Sequence, residues 1–319
     1  MVRKNHPVIV LLGPTGSGKS SVAIKLSEQL PIEIICMDSM QVYSELSIGN
    51  TAPSEKEREK VAHHLFGSVS IRNEYSSVHW LHDALQVIKE IHGRGNIPVF
   101  VGGTGLYFQI LTEGISEVPK TPKDLRHRLD QRCDEKGLSS LYNLLARLDP
   151  DAARMVHYND RQRVQRFLEI RILTGRSVVD LWALGRKSPI EYPILTLGLS
   201  APRAILRRRI RDRLNEMLCS GWLDEVIELG KNGLRHAVEK RGPLGYQILF
   251  RMLDGDFPLF NEAIERIDIA TRRYAKRQMT WFQNISEIEW VHLQDDLGYN
   301  LEQIFAVVLE FIKNESYIH

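Results

Sequence analysis

Long apolar runs are missing from this sequence. No uninterrupted apolar stretch is long enough to span a bilayer. The one apolar run near the N-terminus, behind Arg3 and Lys4, is too short for a secretory leader. Cysteine is scarce: Cys36, Cys133 and Cys219 lie far apart with no paired spacing, which excludes a disulfide framework and a zinc site and suits a reducing compartment. Net charge is small as well. At +2 over 319 residues a wholly basic surface is excluded, so a nucleic-acid partner would have to be bound by local patches. Internal repeats and low-complexity tracts are also absent. What remains, with 43% apolar and 26% charged residues, predicts a cytoplasmic globular protein with no membrane segment, a large core and two lobes.

The strongest motif is Gly13-Pro14-Thr15-Gly16-Ser17-Gly18-Lys19-Ser20, with the apolar run Val8 to Leu12 before it and a helix-compatible run from Lys19 to Leu30 after it. The spacing is that of a phosphate-binding P-loop, G-x-x-x-x-G-K-[ST], in the strand–loop–helix context that the motif requires. The glycines let backbone N–H groups turn inward without a Cβ clash, and the following helix presents its positive end to the same point. Lys19 would add a mobile charge on a terminal phosphate, and the Ser20 hydroxyl would ligate Mg²⁺. A nucleotide and a non-nucleotide diphosphate would be held by the same atoms.

A second apolar run, Ile32 to Met37, ends at Asp38-Ser39-Met40-Gln41-Val42-Tyr43. Ligands gather at the carboxyl ends of strands in an α/β sheet, which puts this segment beside the P-loop. Asp38 then either holds the Mg²⁺ shell, acts as a general base, or caps the next turn. Ser54 to His64 reads as a charged helix with Ser54 and Glu57 at capping-box spacing and with His63 and His64 in its last turn, not as metal ligands. Ser76 to Gly93 is again helical, and the strand Ile97 to Val101 runs into Gly102-Gly103-Thr104-Gly105-Leu106-Tyr107, where the glycines imply a close approach to the backbone.

From about Ser116, Pro119 and Pro122 mark a boundary. Helical segments without a strand follow to about Ser188, carrying Asn159-Asp160-Arg161-Gln162-Arg163 and Arg166, either a solvated face or a phosphate-binding one. The sheet resumes at Tyr192 to Leu199. Beyond Pro202, arginines at 203, 207, 208, 209, 211 and 213 wrap a helix, and Arg209 and Arg213, one turn apart, are the pair expected at the phosphate site. Next come Gly242-Pro243-Leu244-Gly245-Tyr246-Gln247 and a long helix ending at Phe282. In its last turns cations alternate with aromatics, which suits RNA; the alternative is an amphipathic helix with Tyr274, Met279 and Trp281 in the core. A strand, Ile288 to Leu293, and an amphipathic helix from about Leu301 to Lys313 complete the pattern.

In order and over nearly the whole chain, these motifs resemble the tRNA dimethylallyltransferases, the bacterial tRNA isopentenyltransferase family. The resemblance is carried by Gly13 to Ser20, Asp38 to Tyr43, His63-His64-Leu65, Val101 to Tyr107, Asn159-Asp160 with Arg163 and Arg166, Leu244-Gly245-Tyr246 and Lys276 to Phe282. It implies an α/β fold, a P-loop NTPase-like core with a parallel sheet flanked by helices, plus an all-helical insertion domain. The divisions would be 1–117 for the first part of the core, 118–190 for the insertion and 191–319 for the second part. It also implies transfer of the dimethylallyl group from dimethylallyl diphosphate to N6 of the adenine 3′ of the anticodon in tRNA, by a monomer that uses Mg²⁺. The P-loop, Gly13, Pro14, Thr15, Gly16, Ser17, Gly18, Lys19 and Ser20, would then cradle a diphosphate leaving group, with Arg209 and Arg213 beside it.

The same resemblance makes Asp38 the general base and sets Thr15 and Thr104 against the reacting groups. The anticodon stem-loop would be met by Asp38, Ser39, Met40 and Gln41, by Thr104 and Arg126, and by Gln162, Arg163, Val164, Gln165 and Arg166. Arg241, Gly242, Pro243, Leu244, Gly245 and Tyr246 would follow, then Lys276, Arg277, Gln278, Met279, Thr280, Trp281, Phe282 and Gln283. The target base would leave its stack and enter a channel between core and insertion. Two positions depart from the family pattern: Ala52 stands where a Lys is usual, and Gly67 where an Asp is frequent. An adenylate isopentenyltransferase acting on free AMP, ADP or ATP would share the P-loop and Asp38 but not need the RNA segments. A P-loop small-molecule kinase and a non-catalytic RNA-binding P-loop protein are the readings from other classes.

Overall fold

The computed structural model describes residues 7–115, 118–183, 185, 187–257, 259–293 and 299–317. Arg3, Lys4 and Ser116, used above, lie outside the described residues. The chain divides into two compact units, residues 1–111 with 190–319 and residues 112–189.

In the first unit β1 (Val8–Leu12) is buried along its whole length, as expected of a strand covered on both faces. It leads through the P-loop into α1 (Lys19–Ser27), followed by β2 (Ile32–Cys36), α2 (Glu55–Lys60), β3 (His63–His64), α3 (Ser77–Gly93), β4 (Ile97–Gly102) and α4 (Gly105–Thr112). The second unit holds α5 (Lys123–Lys136), α6 (Leu138–Leu148), α7 (Pro150–Arg154), α8 (Arg161–Thr174) and α9 (Val178–Ala183), with no strand among its described residues. Its own core is built on Leu129, Leu141, Leu145, Val164 and Leu168. The chain then returns to the first unit with β5 (Ile194–Ser200), α10 (Arg203–Cys219), α11 (Trp222–Lys231), α12 (Arg235–Arg241), α13 (Leu244–Leu253), α14 (Phe260–Phe282), β6 (Glu289–His292) and α15 (Leu301–Tyr317).

The sheet has six strands in the order β3-β2-β4-β1-β5-β6, and every pair is parallel. Side chains of β1 alternate between two cores: Ile9 and Leu11 face α1 and α15, whereas Val8, Val10 and Leu12 face the cluster that includes Trp80, Trp222, Tyr246 and Phe282. Strand order reverses at β1, which has β4 and β2 on one side and β5 on the other. A crevice therefore opens at its carboxyl end, where the P-loop begins.

One expected element differs. The capping box of Ser54 and Glu57 is present, but α2 ends at Lys60, and His63 and His64 form edge strand β3 paired with Ile34 and Ile35. Val61 takes extended geometry, and the imidazoles find partners that a solvated helix end could not supply: His63 Nδ1 meets the Val61 carbonyl at 2.8 Å and His64 Nε2 meets buried Glu33 at 2.6 Å. Among the described residues no group of three or more His, Cys, Asp or Glu side chains could hold a metal.

Candidate active site

Three loops meet at the carboxyl ends of β1, β2 and β4. Gly18 is the N-cap of α1, with φ 92° and no side-chain acceptor, so the first N–H groups of the helix point into the loop without a capping side chain. Gly13 admits no side chain: a Cβ there would lie 2.6 Å from the Leu199 carbonyl oxygen of β5. The Lys19 ammonium folds back over the loop and donates to the carbonyls of Gly13 at 2.8 Å and Pro14 at 3.0 Å. Burial pulls its pKa from 10.5 down to about 8; the Asp38 charge raises it, and Arg213 lowers it further. Lys19, Asp38 and Arg213 thus share one electrostatic neighbourhood.

Both arginines expected from the α10 pattern reach the P-loop. Arg213 Nη1 donates to the Thr15 hydroxyl at 3.3 Å, and Arg209 Nη1 approaches the Ser17 carbonyl at 3.5 Å. Their spacing of one turn puts them on the same helix face, while Leu206, Ile210 and Leu214 bury the face that packs inward.

The Asp38 loop is fixed from below and from the side. The indole of fully buried Trp80 donates to the Cys36 carbonyl at 2.8 Å and stacks on Tyr107 at 4.2 Å, which anchors the end of β2. One carboxylate oxygen of Asp38 accepts from the Met40 N–H at 2.9 Å, so the side chain does cap its own turn. Asp38 is half-buried, so its second oxygen can serve another task. Thr104 Oγ1 accepts from the Ser39 N–H at 3.0 Å and lies 3.4 Å from the Ser39 hydroxyl, tying the β4 loop to the Asp38 loop.

The P-loop and the β4 loop are joined by Gln278 of α14, only 6% exposed. Its Oε1 accepts from the Thr15 N–H at 2.9 Å, and its Nε2 donates to the Gly103 carbonyl at 2.8 Å. The close approach implied by the glycines is made by the protein itself. A Cβ on Gly103 would lie 2.1 Å from Gln278 Nε2, and one on Gly105 would lie 2.5 Å from the Trp281 ring. Tyr274, one turn before Gln278, has its hydroxyl against Thr104 and Gln278; burial raises its pKa, as does the Asp38 charge.

The other expected RNA residues differ in exposure: Gln165, Arg166, Arg241, Gly242, Pro243, Gly245, Met279 and Trp281 are half-buried. Lys276, Arg277, Thr280 and Gln283 are exposed on α14, Leu244 is 51% exposed, and Gln162 and Arg163 are exposed on α8. Val164, Tyr246 and Phe282 are core side chains, 0% exposed, so they have only backbone to offer a ligand. The core alternative for α14 needs correction too. In its last turns Ala275, Gln278 and Phe282 are the buried positions, Tyr274 is 37% exposed, Met279 is half-buried, and Trp281 is only partly buried against the core. Helical phase explains this, because Gln278 shares a face with Ala275 and Phe282.

Sequence reasoning missed Glu225. From α11 it accepts the N–H groups of Ser47 at 3.0 Å and Ile48 at 2.8 Å, together with the hydroxyl of Tyr246. That carboxylate organises the loop that departs from the family pattern, but the contact spans 178 positions and leaves no local signal. In the same region Gln41 Nε2 donates to the carbonyls of Asn50 at 3.0 Å and Thr51 at 2.9 Å. Gly67 takes φ 58°, a left-handed conformation that suits glycine, while its N–H bonds to the Gln41 carbonyl at 2.9 Å. In the second unit, Arg126 and Arg166 converge on Glu169.

A family model described as IPP transferase matches residues 41–285. The chain belongs to the IPP transferase family. Relatives in this family include the tRNA dimethylallyltransferase of Geobacter metallireducens, 39% identical over 284 residues that cover 89% of this chain and 92% of the relative. That of Methylococcus capsulatus is 40% identical over 287 residues, again 89% and 92% of the two chains. Among solved structures, the full-length tRNA isopentenylpyrophosphate transferase of Bacillus halodurans aligns with a TM-score of 0.70 at 32% identity, covering 98% of each chain. A eukaryotic dimethylallyltransferase described as acting on tRNA aligns with a TM-score of 0.84 at 30% identity, covering 97% of this chain and 80% of its own. The parallel sheet flanked by helices is therefore the family's P-loop NTPase-like core, and the chain is a prenyltransferase.

Proposed function

We propose that this member of the family transfers the dimethylallyl group from dimethylallyl diphosphate to N6 of the adenine 3′ of the anticodon in tRNA. The observation that carries the reading is the convergence of two cations on the phosphate loop, Lys19 folded over it and Arg213 of α10 donating to Thr15, with the Asp38 carboxylate after β2 acting on both charges. As the allylic C–O bond breaks, charge accumulates on the departing diphosphate. The P-loop N–H groups, Lys19 and Arg213 are preorganised to stabilise it. The N6 lone pair is delocalised into the adenine ring and makes a weak nucleophile. Asp38 accepts the N6 proton as the new C–N bond forms. Thr15, whose hydroxyl accepts from Arg213, and Thr104, whose hydroxyl accepts from the Ser39 N–H, orient the two reacting groups.

Ser20, exposed at the first turn of α1, would hold a Mg²⁺ ion through its hydroxyl, alone or with Asp38 through water. When bound, that ion neutralises charge on the leaving group. Lys276, Arg277, Thr280 and Gln283 on α14, and Gln162 and Arg163 on α8, supply the exposed surfaces for the anticodon stem-loop. A tRNA substrate calls for the cytoplasm, and all site residues come from one chain, so the reading needs no second copy.

Unmodified tRNA incubated with the enzyme, dimethylallyl diphosphate and Mg²⁺ should gain one dimethylallyl group on the adenosine next to the anticodon, read by mass spectrometry of the digested RNA. Asp38→Ala should lower turnover by about two to four orders of magnitude with little loss of RNA affinity. An unmodified product with wild-type enzyme, or full turnover by Asp38→Ala, would contradict the proposal.

A further inference from the structure

Within the second unit, α5, α8 and the segment ahead of α5 meet at one buried carboxylate. Glu169 is 2% exposed and accepts from the Thr121 hydroxyl at 2.7 Å, from Arg126 Nε at 3.1 Å and Nη2 at 3.3 Å, and from Arg166 Nη1 at 3.2 Å. Arg166 Nη1 also donates to Thr121 at 2.8 Å. The cations are not buried with their acid: the Arg126 and Arg166 side chains are 53% and 39% exposed. Burial alone would raise the Glu169 pKa, but the hydrogen bonds from Arg126 and Thr121 and the charge of Arg126 outweigh it and hold the group below the ordinary glutamate value.

A buried carboxylate has to be paired, and burying its partner cations as well would add their desolvation cost. Here the acid is enclosed and the cations are presented. Other pairs in this unit differ, since Asp151 with Arg154 and Asp160 with Arg163 place an exposed acid against an exposed arginine, whereas in the first unit buried Asp268 holds Arg211 and Arg272 in the same manner as Glu169 holds its two. Glu169 fixes two guanidinium groups at the surface of α5 and α8, two positive charges against one negative. An arginine held in this way has already lost the rotamer freedom that a solvated one loses on binding.

We propose that Glu169 is a positioning residue that holds Arg126 and Arg166 as a two-guanidinium clamp for a backbone phosphate of the RNA substrate. The proposal rests on the tRNA reading above. It differs from a reading by charge alone in the sign of one effect. Removing a carboxylate beside a phosphate-binding face should tighten RNA binding if charge is all that matters. It should weaken binding if the carboxylate positions the arginines.

The test measures binding of an unmodified anticodon stem-loop RNA to the full-length enzyme across a salt series, together with steady-state kinetics. Glu169→Gln should weaken binding roughly tenfold and reduce the slope of log affinity against log salt by about one, as when an ordered phosphate contact is lost. KM for the RNA should rise by a similar factor while KM for dimethylallyl diphosphate stays at its wild-type value. A collapse of the fold would move both. Arg126→Lys keeps the charge and loses the fork, so it provides a second reading that does not depend on removing a buried acid; it too should weaken RNA binding. Unchanged or tighter binding by Glu169→Gln with the wild-type salt slope, or wild-type affinity in Arg126→Lys, would overturn the clamp. A wild-type enzyme that fails to retain the RNA would overturn the tRNA reading itself, and the clamp with it.

Discussion

Lys19 faces two environments, and pH separates them. In the folded chain its ammonium is satisfied by two carbonyls, and burial brings its pKa down from 10.5 to about 8. The unfolded chain therefore binds more protons between these values, so this group's contribution to stability rises as pH increases from about 8 to 10.5. A bound diphosphate favours the charged form and moves the pKa back up. Binding of dimethylallyl diphosphate at pH 8.5, where the diphosphate is already fully ionised, should then take up a substantial fraction of a proton at Lys19. Calorimetry in buffers of different ionisation enthalpy measures this uptake; a binding enthalpy independent of buffer at pH 8.5 would contradict the role given to Lys19. The P-loop spacing made Lys19, Ser20 and the glycines readable from the sequence, because phosphate chemistry admits few residue types there. Gln278 was readable only as one polar residue in a basic stretch. Its bridge from Thr15 to Gly103 needs three elements in place.

Helices and strands followed their patterns where one face is apolar and the ends are marked. The capping box at Ser54, the proline ahead of α10 and the glycine-bounded strand β4 all lie where the sequence puts them. Strand β3 did not, because a two-residue edge strand has no period to detect and forms through Glu33, Arg94 and β2. The loops near the site also depend on a distant element. Trp222 of α11, 1% exposed, is the packing surface for Gly49, Gly245 and Tyr246, so one indole sets the height of both the 48–53 and the 242–246 segments. A Cβ on Gly49 would lie 1.9 Å from Trp222 Nε1 and 2.6 Å from the Tyr246 ring, with no flexible side chain to yield. Gly49→Ala should lower stability by about 1–3 kcal/mol through overpacking, seen as a lower thermal midpoint. An unchanged midpoint would mean that the two segments do not share this support.

The whole chain combines a sheet that positions phosphate chemistry with a separate helical unit that presents cations. The division into α/β core and helical insertion was visible in the loss of strand patterns between the two halves of the sheet; the strand order was not, since parallel pairing is decided by contacts between distant segments. Modest net charge also becomes intelligible. Many arginines carry their own acids, as Arg235 does with Asp254 and Arg161 with Asp130, so the positive charges largely cancel within the chain. The most direct test of the account is a competition for one donor. Radiolabelled dimethylallyl diphosphate is offered to the enzyme with unmodified tRNA and AMP together in a single Mg²⁺ buffer. Label in tRNA alone is the predicted result. Label in AMP, or in neither acceptor, would contradict it.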